Sequence, residues 1–166
     1  MTTQKLVIAV LGGTGNEGPG LAMRWANAGY KVIIGSRQAQ KAENTAAELN
    51  QKLGINTIIG KENADAARSA DICVLTVVAS AHQPALEGLK DALDGKILVD
   101  ATARLSFPNL NPPEPPSAAE IAQKILGPGV RVVAAFQNVP AHALRDINEP
   151  VPSDVLVCSN DLDASQ

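Results

Sequence analysis

Leu6-Val7-Ile8-Ala9-Val10-Leu11-Gly12-Gly13-Thr14-Gly15-Asn16-Glu17-Gly18-Pro19-Gly20 is the stretch from which the fold is read. Leu6 to Leu11 is an unbroken, β-branched-rich apolar run, the length of a strand buried on both faces. Gly13, Gly15 and Gly18 then fit G-x-G-x-x-G. An amphipathic helix follows, with Leu21, Ala22, Trp25 and Ala28 on one face and Gly29 as its stop. In a dinucleotide site the first glycine allows the tight turn. The second lets the backbone approach a pyrophosphate, and the third lets helix and strand pack closely. Free N–H groups at the helix start face the phosphates, and Pro19 forfeits no intrahelical bond there. Three glycines alone can mark any strand-to-helix turn; the strand before and the helix after make this one a dinucleotide loop.

Outward from this unit, strand and helix patterns alternate. That predicts a doubly wound, mostly parallel α/β sheet with right-handed crossovers, in a single domain over residues 1–166. Further strands are expected at Lys31–Gly35, 56–60, Ile72–Val78, Lys96–Ala101, Val130–Phe136 and Asp154–Cys158. One helix carries Ala42, Ala46, Leu49 and Leu53 and ends at Gly54. Asn63 is expected to cap a short Ala-rich helix, and Ser80 with Gln83 resembles a capping box, as do Ser117 and Glu120. Residues 108–116 hold five prolines and read as a stiff, exposed spacer. The chain stops soon after its last strand, so it reads as a domain whose final segment is missing or comes from elsewhere.

Composition narrows the function classes. Hydrophobic residues make up 45% and aromatics only 2%, so the core is aliphatic, which suits a helix-covered parallel sheet and not a base-stacking surface. The net charge of −3, with no basic block, speaks against nucleic acid and anionic membranes. The N-terminus does not resemble a signal peptide, and no run is long enough to span a bilayer. Cys73 and Cys158, both in apolar strand-like runs, are expected to be buried free thiols of a reduced, cytoplasmic protein.

The end of the second strand discriminates between dinucleotides. An acid there binds the ribose 2′-hydroxyl of NAD, and basic residues accommodate the 2′-phosphate of NADP. Here Gly35-Ser36-Arg37-Gln38 holds no acid, and Lys41 follows one turn on. Arg37 can fork onto a phosphate, Ser36 can donate its hydroxyl, and Lys41 adds a point charge. NADP is the expected cofactor. It should lie across the carboxyl ends of the strands, near residues 77–80, Ala101, Thr102 and residues 137–141.

Acid–base chemistry is sparse. Tyr30 is the only tyrosine and is followed directly by Lys31, so no Tyr-x-x-x-Lys pair exists. His82 and His142 are expected on the surface or on a helix face, and no cluster has metal-ligand spacing. No catalytic side chain is assigned. A carbonyl reductase needs a poised proton donor. Hydride transfer between two cofactors needs mainly that the reacting carbons sit about 3–3.5 Å apart with water excluded, which this residue set suits better.

Five segments together resemble the NADPH-dependent reductases of coenzyme F420. They are Gly12-Gly13-Thr14-Gly15-Asn16-x-Gly18-x-Gly20, Gly35-Ser36-Arg37 with Lys41, Asp71-Ile72-x-Val74-Leu75-Thr76, Ser117-Ala118-Ala119-Glu120-Ile121, and Val139-Pro140-Ala141. The resemblance runs from Leu6 to about Asn160. The glycine loop by itself is shared with ferric-reductase domains of similar build.

The resemblance implies an oxidoreductase that moves hydride between NADP(H) and the deazaflavin coenzyme F420, without metal or covalent intermediate. It implies that Thr14, Gly15, Asn16 and Glu17 hold the pyrophosphate, and that Ser36, Arg37 and Lys41 hold the 2′-phosphate. Ala79 and Gln83 would line the cofactor, Ala141 the nicotinamide, and Asn138, Val139 and Pro140 the deazaflavin ring. Similar proteins continue past residue 166 with a helix and a tail that helps build the deazaflavin pocket, and Gln137 stands where some members carry His. Two other readings remain: reduction of another acceptor, a flavin or a ferric complex, and a non-catalytic NADP(H)-sensing module. An uncovered last strand can pair across a homodimer.

Overall fold

A computed structural model describes residues 5–105, 108 and 114–166. Most of the proline-rich stretch 108–116 therefore lies outside the described residues. In chain order the elements are β1 (Val7–Leu11), α1 (Gly18–Asn27), β2 (Lys31–Ser36), α2 (Ala39–Leu53), β3 (Ile58–Glu62) and α3 (Asn63–Arg68). Then come β4 (Ile72–Leu75), α4 (Ala79–Leu93), β5 (Ile97–Asp100), α5 (Ala118–Leu126), β6 (Arg131–Ala134), one 3₁₀ turn (Ala143–Arg145) and β7 (Cys158–Ser159). The sheet order is β3-β2-β1-β4-β5-β6-β7. Strands β1 to β6 are parallel, and β7 runs antiparallel to β6. The order reverses between β1 and β4, which opens a crevice at their carboxyl ends.

Alternation along each strand divides the core. Ala9 and Leu11 face Ala66, Leu86, Leu93 and Ala122, on the side of α3, α4 and α5. Val10 faces Ala22, Met23, Ala42 and Ala46, on the side of α1 and α2. Each fully buried Leu, Ile or Val on these faces contributes about 1.5–3 kcal/mol of burial free energy. Over β4 and β5 the α1 side has no helix of its own. Leu144 and the partly buried Phe136, Val139 and Val151 cover Ile8, Val74 and Val99 there, and Trp25 meets Phe136 edge-to-face at 5.9 Å between ring centroids.

This returning segment is fastened to α1 by one side chain. The Arg24 guanidinium donates to the carbonyls of Ala143 (3.0 Å), Leu144 (3.1 Å), Asp146 and Glu149 (2.9 Å). It satisfies backbone acceptors that no strand or helix serves. The 3₁₀ turn packs so closely on α1 that a Cβ on Gly20 would come within 2.5 Å of the Leu144 Cβ.

Several expectations change. Strands β4, β5 and β6 are shorter than their apolar runs, because pairing stops where the chain turns out over the carboxyl edge. The seventh strand is Cys158–Ser159, not a run from Asp154. Glu62, not Asn63, caps α3 by accepting from the Ala64 N–H (2.9 Å). Ser80 does not cap α4, because the helix begins one residue earlier with Val78 at its cap; Gln83 bonds forward to Glu87 (2.8 Å). The capping box of Ser117 and Glu120 forms as expected. Cys73 is buried, but Cys158 is exposed, since β7 is the edge strand among the described residues.

Candidate functional site

The glycine loop lies at the crevice, and its three motif glycines behave differently. A Cβ on Gly13 would sit 2.6 Å from the Val10 carbonyl oxygen, and one on Gly18 would sit 2.6 Å from the Gly13 Cα. These two are required by the protein's own packing. A Cβ on Gly15 would meet nothing closer than 3.7 Å. No protein atom demands a glycine there, and the open face it leaves suits an external group approaching the backbone. Residues 15 and 16 are exposed, and the first turn of α1 presents its N–H groups beside them.

The loop is held from behind. The Gly13 N–H donates to the Gly35 carbonyl (2.9 Å), and the Gly12 N–H donates to Asn63 Oδ1 (3.1 Å). Asn63 is therefore a brace for the loop rather than a helix cap. A Cβ on Gly35 would come 2.7 Å from the same Oδ1, so β2, α3 and the loop converge at one amide. The Gly-x-Gly pattern could not reveal this, because Asn63 is distant in sequence.

At the end of β2, Ser36 is buried while Arg37 and Lys41 are exposed. Neither cation forms an ion pair among the described residues. Glu17 is different. Its Oε1 is buried with no partner among the described residues, and burial pushes the carboxyl up to about 7. A helix start favours negative charge, but desolvation outweighs that here. An ionised carboxylate would repel a pyrophosphate, so the useful groups at position 17 are its backbone N–H and a protonated carboxyl.

On the other side of the crevice, Val78, Ala79, Ser80 and Gln83 are exposed at the start of α4. Ala101 and Thr102 are buried beneath the surface, not open on the rim. Phe136 adopts φ 72, a left-handed conformation uncommon outside glycine, and opens the turn closed by the Val139 N–H to the Phe136 carbonyl (3.0 Å). Val139, Pro140 and Ala141 are half-buried in that turn, and the Asn138 amide already donates to the Asp154 carbonyl (2.8 Å). His82 is on a helix face but buried, and its Nε2 lies 2.6 Å from Asp100 Oδ2. Two hollows of about 430 and 450 Å³ lie elsewhere, among α5, β6 and β7, and no glycine-loop residue lines them. The crevice is an open edge, the shape an extended dinucleotide occupies.

A mostly parallel, doubly wound sheet with a bare glycine before its first helix, and two cations one strand away that form no ion pair among the described residues, has the build of a dinucleotide-binding domain. Residues 7–104 match the family model described as coenzyme F420-dependent NADP oxidoreductase. The chain is 42% identical over 166 residues to the F420-dependent NADP reductase of Methanothermobacter thermautotrophicus, covering 95% of this chain and 72% of that protein. It is 43% identical to the enzyme of the same name from Methanocaldococcus jannaschii, covering 96% and 75%. A solved structure of a hypothetical protein from Sinorhizobium meliloti superposes with a TM-score of 0.74 at 25% identity, covering 98% of this chain and 77% of that one. The chain belongs to the coenzyme F420-dependent NADP oxidoreductase family. Among the described residues no helix is long and apolar enough to cross a membrane.

Proposed function

We propose that this protein transfers hydride between NADP(H) and the deazaflavin coenzyme F420. The observation that carries the reading is the open backbone face at Gly15 beside unpaired Arg37 and Lys41, in a chain of this family. The backbone N–H groups of Thr14 to Gly18 bind the pyrophosphate. Ser36, Arg37 and Lys41 grip the 2′-phosphate, where a guanidinium fork and an ammonium replace the hydration of a dianion. Ala79, Gln83 and Ala141 flank the nicotinamide half, and Asn138, Val139 and Pro140 offer a partly apolar wall to a second flat ring. The bound pair would supply the redox chemistry, a hydride passing between nicotinamide and deazaflavin while the deazaflavin exchanges one proton with solvent. The chain's own work is to position the two rings and to exclude water.

The free thiols support a reduced, cytoplasmic setting. The exposed edge of β7 is where a second copy would pair.

The test is to titrate the purified protein with NADPH, then add oxidised F420 and follow the deazaflavin absorbance. Bleaching is expected. Tight NADPH binding without bleaching, together with turnover on a flavin or a ferric complex, would replace the acceptor. NADPH binding with no turnover on any acceptor would favour a sensing module.

A further inference from the structure

Asp100, the last residue of β5, is fully buried in the sheet. Its Oδ2 lies 2.6 Å from Nε2 of His82, which is itself only 5% exposed and belongs to α4. Its Oδ1 accepts from the Thr102 N–H (3.0 Å), turning the chain sharply out of β5. Its main-chain carbonyl accepts from Gln137 Nε2 (2.6 Å), just past β6. One residue thus ties together the three segments that leave the carboxyl edge of β4, β5 and β6.

A carboxylate inside a parallel sheet is costly even when paired. An apolar residue of similar size is often equally stable or more so. Stability is therefore a poor reason for its presence. Its ties all run toward one end of the crevice, on the far side of β1 from Arg37 and Lys41.

We propose that Asp100, acting through His82 and Gln137, is the positioning residue for the nicotinamide end of the site. It fixes the start of α4 relative to the turn that carries Asn138 to Ala141, so that a flat ring is held in one orientation. The inference rests on the reading of the crevice as an NADP(H) site. It does not depend on which acceptor takes the hydride. Thr102 Oγ1, buried and without a partner among the described residues, belongs to the same cluster.

The experiment compares two ligands on the wild type, on Asp100→Asn and on Gln137→Ala. One ligand is NADPH. The other is 2′-phospho-ADP-ribose, which keeps the phosphates and lacks the nicotinamide. Asp100→Asn conserves shape, and Gln137→Ala cuts a single tie from outside the core, so one of them reports even if the other fails to fold. The expected result is affinity for the truncated ligand within about twofold of wild type, while the advantage of NADPH over it shrinks about tenfold. At saturating NADPH, single-turnover hydride transfer should slow by about tenfold or more, as a small misplacement of reacting groups does.

Parallel weakening of both ligands would show a general structural role and overturn the proposal, as would an unchanged NADPH advantage in both variants. If the wild type binds NADPH but fails to bleach F420, the acceptor reading falls, and the ratio of the two affinities still decides the role of Asp100. If the wild type binds neither ligand, both readings fall together.

Discussion

Around Gly15 the crevice is lined by main chain, left bare where a side chain is missing. Around Asp100 the arrangement depends on side chains drawn from a helix, a strand and a turn. The first end is specified locally: strand, glycines and helix are contiguous, and the loop needs only Gly35 and Asn63 behind it. The second end is specified by tertiary placement, with His82, Asp100 and Gln137 brought together from α4, β5 and the turn after β6. On the proposed reading, main chain can hold a pyrophosphate, whereas orienting a ring needs a surface assembled from several elements.

Substitutions within the glycine motif give the sharpest break. Gly15→Val is expected to abolish NADPH binding while the protein stays folded, because its new Cβ meets no protein atom closer than 3.7 Å. Gly18→Ala is expected to cost about 1–3 kcal/mol of stability, because its Cβ would collide with the Gly13 backbone. Thermal unfolding alongside a fluorescence titration separates the two. Undiminished binding by the folded valine variant would mean that the loop holds no pyrophosphate.

A side-chain test of the same end follows. Arg37→Asp is expected to weaken NADPH by about 2–4 kcal/mol, trading a charge-assisted fork for repulsion, with NADH affinity hardly altered. Equal losses for the two dinucleotides would remove the 2′-phosphate from this position.

The smallest effect concerns Glu17. Burial raises its carboxyl from 4.5 to about 7, so the fold favours the protonated form. Its contribution to stability is therefore fully present below about 4.5, declines as pH rises toward 7 and is level above that. Glu17→Gln should match the wild type in unfolding temperature near pH 4 and exceed it at pH 8. The difference should be under about 1 kcal/mol, because water still reaches the group. A gain of equal size at both pH values would show that charge is not the cause.

Most of the β1–glycine loop–α1 unit is legible in the chain. A β-branched run, a glycine pattern and a helical face are periodic signals, and each reports its own conformation. Strand ends were less legible, since hydrophobicity continues past the point where pairing stops, as at Val77 and Val78. The role of Asn63 differs from expectation, whereas His82 keeps its expected helix face but turns inward onto Asp100. A polar residue near a helix start satisfies local donors unless a distant group competes, and at Asn63 the Gly12 N–H does compete. Burial of Asp100 left one faint trace, an acid directly after Ile97-Leu98-Val99. The opposite fates of Cys73 and Cys158 turn on whether a neighbouring strand exists, which composition does not record.

Arg24 joins what the chemistry separates. Its guanidinium clasps residues 143–149 to the last turn of the helix whose first turn faces the crevice. The helix is then a lever shared by both ends. If a ligand that steadies its first turn also makes the clasped segment open less often to solvent, then by reciprocity a ligand that steadies that segment raises affinity at the first turn by the same factor. Amide exchange across residues 143–149 would report occupancy of a phosphate site that none of those residues touches.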